Sequence, residues 1–166
     1  NFKFTNVCLG KTSQFTNTTS IQGTQYPMTY LWTLGNSTTS TQTNTSTQYP
    51  NYGNYNVTVK ALTSVGCERS ITKEVNVFPI PDADFTSGPP CSGLSTKFTN
   101  GSSIAYGLVG YEWEFGDGTD ETQDSPDHTY DATGTYSVKM IATSEFGCVD
   151  SIRKNVVVSV KPTSNF

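Results

Sequence analysis

Tyr111-Glu112-Trp113-Glu114-Phe115-Gly116-Asp117 decides how this chain reads, because Tyr30-Leu31-Trp32-Thr33-Leu34-Gly35-Asn36 carries the same design earlier on. In each stretch three large apolar residues alternate with residues for the opposite face, the two-residue period of a half-buried strand. A glycine and then Asp or Asn end the run. Working outward, Ser95-Thr96-Lys97-Phe98-Thr99-Asn100 echoes Thr12-Ser13-Gln14-Phe15-Thr16-Asn17, and Phe146-Gly147-Cys148 echoes Val65-Gly66-Cys67. The offset is 83 up to Ile21/Ile104 and 81 from Tyr30/Tyr111 onward, which places one two-residue indel in a loop. Asn165-Phe166 stands where Asp84-Phe85 and Asn1-Phe2 stood, so the chain reads as a piece of an array with units of about 80 residues. The expected domains are 1–80 and 81–160, with 161–166 opening a third repeat or forming a junction strand.

The remaining pattern is all-β. Tyr136, Val138, Met140 and Ala142 alternate with Ser137, Lys139, Ile141 and Thr143, as Tyr55, Val57, Val59 and Ala61 alternate with Asn56, Thr58, Lys60 and Leu62. No segment of useful length has helical periodicity. The rings of Tyr111, Trp113 and Phe115, like Tyr30, Trp32 and Leu34, must cover the inner face of a second sheet, which makes each unit a two-sheet sandwich. Short strands, a buried Trp near the middle and a Tyr opening a long late strand are those of an immunoglobulin-like sandwich.

Trp113-Glu114-Phe115-Gly116-Asp117-Gly118, His128-Thr129-Tyr130 and Gly134-Thr135-Tyr136-Ser137-Val138 resemble the PKD (polycystic kidney disease) domain signature W-D-F-G-D-G, H-x-Y and G-x-Y-x-V, with Glu114 in place of the usual Asp. The first unit departs from it. Trp32-Thr33-Leu34-Gly35-Asn36-Ser37 lacks the acid and the second glycine, and Gln48-Tyr49-Pro50 lacks the His, so its assignment leans on the match of Gly53 and Tyr55 to Gly134 and Tyr136. The resemblance implies two tandem PKD-type sandwiches. Cysteine-paired, Thr-rich tandems of this kind are similar to those of large surface proteins of Bacteroidetes. Asp117, set between two glycines that tolerate φ > 0, reads as a turn former, and Asn36 can do the same work.

Net charge −4 and a pI near 4.8, with no Lys/Arg cluster, argue against nucleic acid or an anionic membrane surface as partner. No run approaches the ~20 apolar residues of a membrane span, and no signal segment opens the chain, as expected of a mature piece or fragment. Solubility rests on Thr, Ser and Asn, including Asn36 to Gln48 without a single charge. Each repeat carries a matched cysteine pair, Cys8 with Cys67 and Cys91 with Cys148. Two intradomain disulfides in an oxidising compartment are the expectation, with free thiols or metal as the competing reading. The linker Val77 to Phe85 holds two prolines within a single stretch and no glycine, which predicts a short stiff connection and units set in line.

Little chemistry is on offer. One histidine, absent from the first repeat, rules against a repeated catalytic triad, and Glu112 and Glu114 share one convex strand face rather than flanking a cleft. Asp117, Asp120 and Asp124, crowded with Glu121 and Asp127, are candidate calcium ligands, against plain solubility; no cofactor is required. Asn17, Asn36, Asn44, Asn56 and Asn100 begin N-x-[ST] sequons, and Asp150-Ser151-Ile152 resembles a bacterial O-glycosylation motif at Ser151. The segments Tyr26 to Tyr30 and Tyr106 to Tyr111 offer a stacking platform or a buried strand start. The expected function is non-enzymatic: a rigid spacer or fibre-forming array of a secreted or cell-surface protein such as an adhesin, whose partners are neighbouring repeats or subunits. The alternative is an accessory module of a secreted hydrolase that binds polysaccharide or protein.

Overall fold

The computed structural model describes residues 1–20 and 26–161. It divides into two compact units, Asn1–Pro79 and Ile80–Phe166. Of the expected start of a third repeat, residues 162–166 lie outside the described residues. All regular structure among the described residues is β. The first unit contains β1 (Phe2–Lys3), β2 (Val7–Cys8), β3 (Thr12–Asn17), β4 (Met28–Thr33), β5 (Thr39–Ser40), β6 (Thr45–Gln48), β7 (Gly53–Thr63) and β8 (Glu68–Phe78). The second contains β9 (Phe85–Ser87), β10 (Ser95–Asn100), β11 (Val109–Glu114), β12 (Asp120–Glu121), β13 (Asp127–Thr129), β14 (Gly134–Ser144) and β15 (Val149–Val158).

Each unit stacks two sheets. In the first, β1-β3-β6 faces β2-β8-β7-β4-β5; in the second, β9-β10-β13 faces β12-β11-β14-β15. The alternation legible in the sequence sets the register. Trp32 lies opposite Val59 and Trp113 opposite Met140, so the tryptophans and the inward residues of the long strand share one face. Trp32 packs edge-on against Phe2 at 5.2 Å between ring centres, and Trp113 against Phe85 at 5.1 Å. Each indole N–H donates to a carbonyl ten residues on, Gln42 O and Gln123 O, both at 2.9 Å. A ring of this size is fully buried at acceptable cost only because its one polar atom is satisfied in this way.

A lysine closes each sandwich. Lys73 in β8 donates to Phe2 O at 2.6 Å with its ammonium 5.1 Å from the Phe2 ring centre, and Lys154 in β15 repeats this over Phe85. Lys154 also reaches Asp84 Oδ1 at 2.6 Å. The last strand thereby pins the short first strand, whose few ladder bonds would hold it poorly. A second shared feature is less favourable. Ser13 and Thr96, matched positions of the two repeats, bury hydroxyls that have no hydrogen-bond partner among the described residues. Thr96→Val keeps the shape and removes the orphan hydroxyl, so the second unit should gain about 1 kcal/mol, read as a raised Tm in thermal unfolding. An unchanged or lowered Tm would mean that water satisfies the group.

The chain threads each unit from one end to the other. In the first, Thr18 N bonds Asn1 O at the incoming end, where the β7–β8 turn also lies, and the chain leaves at Phe78 after the 11-residue β8. In the second, Ala83 N donates to Asp150 Oδ2 beside the start of β15, and the 10-residue strand carries the chain to the far end. At about 3.3 Å per residue each traverse is roughly 30–35 Å.

Candidate functional site

The Asp/Asn turn after β4 and β11 is where the sequence concentrated its signature, and the structure gives it a structural role in both units. Gly116 (φ 83°) and Gly118 (φ 96°) flank Asp117, whose Oδ1 accepts from Thr119 N at 3.1 Å and Thr119 Oγ1 at 2.6 Å. Its Oδ2 lies 2.7 Å from His128 Nε2, and the imidazole stacks on Phe115 at 4.0 Å. In the first unit Asn36 Oδ1 accepts from Thr38 N at 3.3 Å and Thr38 Oγ1 at 2.5 Å, while its Nδ2 donates to Thr47 Oγ1 at 3.0 Å and Gln48 O at 3.3 Å. An amide with a donor and an acceptor ties the turn to β6 without charge; a carboxylate and an imidazole do so on β13. Burial pushes the Asp117 carboxyl up, but the bonds from Thr119 and His128 outweigh it and hold the pKa below the ordinary value.

A carboxyl whose pKa is lower in the folded state contributes its stabilisation above the unfolded value, and loses it as pH falls through the folded one. Hydrogen bonding to Lys154 lowers Asp84, and hydrogen bonding to Lys139 lowers Glu114, in the same unit as Asp117. Below about pH 4 the second unit should therefore lose stability, and Asp117→Asn should remove part of that dependence. The buried indoles, one per unit, report each unit separately by NMR. Equal acid sensitivity of the Trp32 and Trp113 signals would contradict the assignment.

The acids do not assemble into the expected calcium site. Asp117 is engaged with His128 and Thr119, and Asp124 accepts from Asn100 Nδ2 at 2.7 Å and Ser125 Oγ at 3.0 Å. Asp120 sits on β12 opposite Glu114, in an open groove with Glu112. Glu114 itself pairs with Lys139 at 2.9 Å. Among the described residues no three His, Cys, Asp or Glu side chains form a group that could hold a metal ion. Crowding in sequence was misleading because a turn and two short strands send consecutive acids to different neighbours.

The sequon asparagines also have turn duties. Asn17 Oδ1 accepts from Thr19 N and Asn100 Oδ1 from Ser102 N, both at 2.8 Å, the same i to i+2 bond that Asn36 makes. Asn44 Oδ1 accepts from Asn17 N. An Asn-x-[Ser/Thr] spacing is thus what this turn chemistry selects. Asn56 and Ser151 stand exposed on β7 and β15; Asp150, the acid before Ser151, is the acceptor for Ala83 N.

The cysteine expectation fails for a geometric reason. Cys8 lies opposite Phe78 at the outgoing end of β8, whereas Cys67 immediately precedes Glu68 at the incoming end. In the second unit Cys91 bridges Ser159, just beyond β15, and Cys148 immediately precedes it. The members of each expected pair are more than about 30 Å apart along a strand, against the ~7 Å limit between Cα atoms of a disulfide. Cys67 and Cys91 are free thiols; Cys8 and Cys148 are disulfide-bonded.

Family comparison agrees with this architecture. The PKD domain matches twice, over residues 2–79 and over residues 76–160. The chain belongs to the PKD domain family. As a PKD tandem it is a non-catalytic immunoglobulin-like module rather than an enzyme. The pre-pro-metalloprotease PrtV of Vibrio cholerae is 36% identical over 67 residues, 40% of this chain and 7% of that protein. Collagenase ColA of Bacillus cereus is 33% identical over 70 residues, 42% of this chain and 7% of that protein. The PKD tandem therefore spans less than a tenth of the curated relatives it matches. A crystal structure of the N-terminal eight immunoglobulin domains of Down syndrome cell adhesion molecule covers 98% of this chain and 24% of its own, with a TM-score of 0.53 and 15% identity, a likeness of fold alone.

The PKD sandwich also places its tyrosines. Tyr55 and Tyr136 each donate back to a carbonyl four residues upstream, Asn51 O at 2.8 Å and Ala132 O at 2.9 Å; Tyr55 stacks on Tyr49 at 3.9 Å between ring centres, and Tyr136 packs tilted against Tyr130 at 4.2 Å. This tyrosine corner locks the start of the long strand; the sequence marked the residue but not its bond. Burial raises Tyr49 to about 12 and raises Tyr130 as well, as befits hydroxyls spent on Leu34 O and Phe115 O. Of the expected stacking platform, Tyr30 and Tyr111 are half-buried against the cores, while Tyr106 packs edge-on against Phe146 at 5.9 Å.

Proposed function

We propose that the two PKD units act as spacers in an extracellular protein, each holding the segments on either side of it in the chain a fixed distance apart. The observation that carries this is the threading: the chain enters at one end of each sandwich and leaves at the other, with Lys73 and Lys154 pinning the incoming strand. A unit built this way transmits tension through β-ladders along its whole length and adds roughly 30 Å of reach. The disulfide-bonded Cys8 and Cys148 support an oxidising, extracellular setting. The adhesin or fibre setting belongs to this proposal.

A second reading makes this chain an accessory module of a secreted hydrolase that contacts protein or polysaccharide; its support is that two relatives are named as a metalloprotease and a collagenase. One titration separates the two. The spacer reading predicts no saturable binding of this chain to collagen or to soluble β-glucans in calorimetry. Saturable binding, weakened by substituting the exposed Tyr26, Tyr52 or Tyr106, would overturn it in favour of the accessory binder.

A further inference from the structure

The second unit closes its incoming end with Asp82 and Ala83, ahead of β9. Asp82 and Ser103 form an antiparallel bridge, Asp82 N donating to Ser103 O at 2.8 Å and Ser103 N to Asp82 O at 3.0 Å. Ala83 is 5% exposed and belongs to the core that holds Met140 and Ala142. Its N–H donates to Asp150 Oδ2 at 2.9 Å. An extended segment is thus held in three ways: by backbone pairing, by a small apolar side chain in the core, and by a charged side chain on the last strand.

The first unit presents the same three features to a recess. By the repeat, Ser20 matches Ser103, Val59 and Ala61 match Met140 and Ala142, and Arg69 matches Asp150. Together with Met28 and Ile71 they line a cavity of about 740 Å³. The backbone N–H and C=O that pair in Ser103 are unpaired in Ser20 among the described residues. The charge is inverted. Arg69 has no ion pair among the described residues, and the neighbouring Glu68 is already bound by Lys60 at 2.5 Å. A floor of Val59, Ala61 and Ile71 with an uncompensated guanidinium beside it changes what an occupant must bring: Asp150 takes an N–H, whereas Arg69 calls for a carboxylate.

We propose that this recess is an acceptor site for an extended acidic peptide of a separate protein, which pairs with Ser20, lays a small apolar side chain over Ala61 and sets a carboxylate on Arg69. The mode is strand addition: main-chain bonds hold the peptide, and the side-chain contacts select it. The second unit shows the geometry with its own residues, since Asp82 and Ala83 make the backbone and apolar contacts at the matching positions. Selectivity is the first unit's own. The recess admits a small side chain beside Ala61 and Ile71, and Arg69 favours acidic over neutral or basic sequences. The site goes beyond the spacer reading and does not depend on it, because end-to-end threading of the unit is the same with the recess filled or open.

The test titrates the whole isotope-labelled chain, followed by NMR, with a capped synthetic peptide of the sequence of residues 80–84, which carries Ala83 between Asp82 and Asp84. The expected result is saturable shifts at Ser20, Ala61, Arg69 and Ile71, with the Trp113 indole signal unmoved. Arg69→Glu should weaken binding by about tenfold or more, and Arg69→Lys should retain most of it. The same peptide carrying Asp82→Asn and Asp84→Asn should lose affinity for the unsubstituted chain but not for Arg69→Glu. An unchanged Trp32 indole signal in the peptide-free variants shows that the first unit is folded in each. Absence of saturable shifts, shifts centred away from the recess, or binding that Arg69→Glu and the neutral peptide leave unaltered would overturn the proposal.

Discussion

Gly116→Ala is expected to unfold the second unit at temperatures where the first survives. Gly116 has φ 83°, and an added Cβ would lie 2.9 Å from Ser137 N and 3.0 Å from Ser137 O. Both atoms are backbone of the long central strand, which cannot move aside without breaking its ladders to β11 and β15. The left-handed conformation costs a non-glycine residue about 1–2 kcal/mol, and forcing a methyl against packed backbone adds about 1–3. A sandwich of this size holds only ~4–12 kcal/mol in total. Gly118→Ala is the control: φ is 96° but nothing lies within 4 Å of the added Cβ, so only the conformational cost remains. Gly35 repeats the close approach in the first unit, 2.9 Å from Asn56 O. Thermal unfolding followed through the two indole signals should show the Trp113 transition shifted far more by Gly116→Ala than by Gly118→Ala. Equal shifts would mean that the strand yields.

Trp113→Ala should have an effect at least as large. The side chain is fully buried between Phe85, Phe98 and Phe115, with ring centres at 5.1, 5.8 and 6.3 Å. Truncation leaves a cavity and strips Gln123 O of its donor, costing about 3–5 kcal/mol. Trp113→Phe should cost less, because the ring contacts persist while the hydrogen bond is lost. The check is urea unfolding monitored by Trp32 fluorescence and by far-UV circular dichroism. A Trp113→Ala protein with a single transition at the original midpoint would contradict the central place given to this residue.

What the sequence disclosed and what it withheld divide along a physical line. Strand faces were legible because burial forces a period of two on Tyr55 to Ala61 and Tyr136 to Ala142, and burial is what the sheets then show. The turn role of Asn36 and Asp117 was legible because their shared ability to accept from a backbone N–H survives the change of charge. The closing lysines were not: Lys73 and Lys154 look like any solvated strand residue until the first strand is seen to lie beneath them. The cysteine pairing was misread because matched positions in a repeat say that two residues do the same thing in two units, not that the two within a unit are near each other. In a sandwich traversed lengthwise, the turn before the last strand and the bridge at its end are as far apart as the unit allows. The calcium reading failed similarly, since acids close in sequence diverge once Asp117 turns to His128 and Asp124 to Asn100.

The spacer role rests on each unit carrying its chain from end to end. The most direct measurement is the distance between two spin labels within the first unit, one replacing Ser64 in the β7–β8 turn and one replacing Lys11 beside the outgoing end of β8. Lengthwise threading predicts roughly 30–35 Å between the backbones, the run of the strand that separates them. A distance under about 15 Å, which fewer than five extended residues could span, would place both ends of the chain together and contradict the spacer.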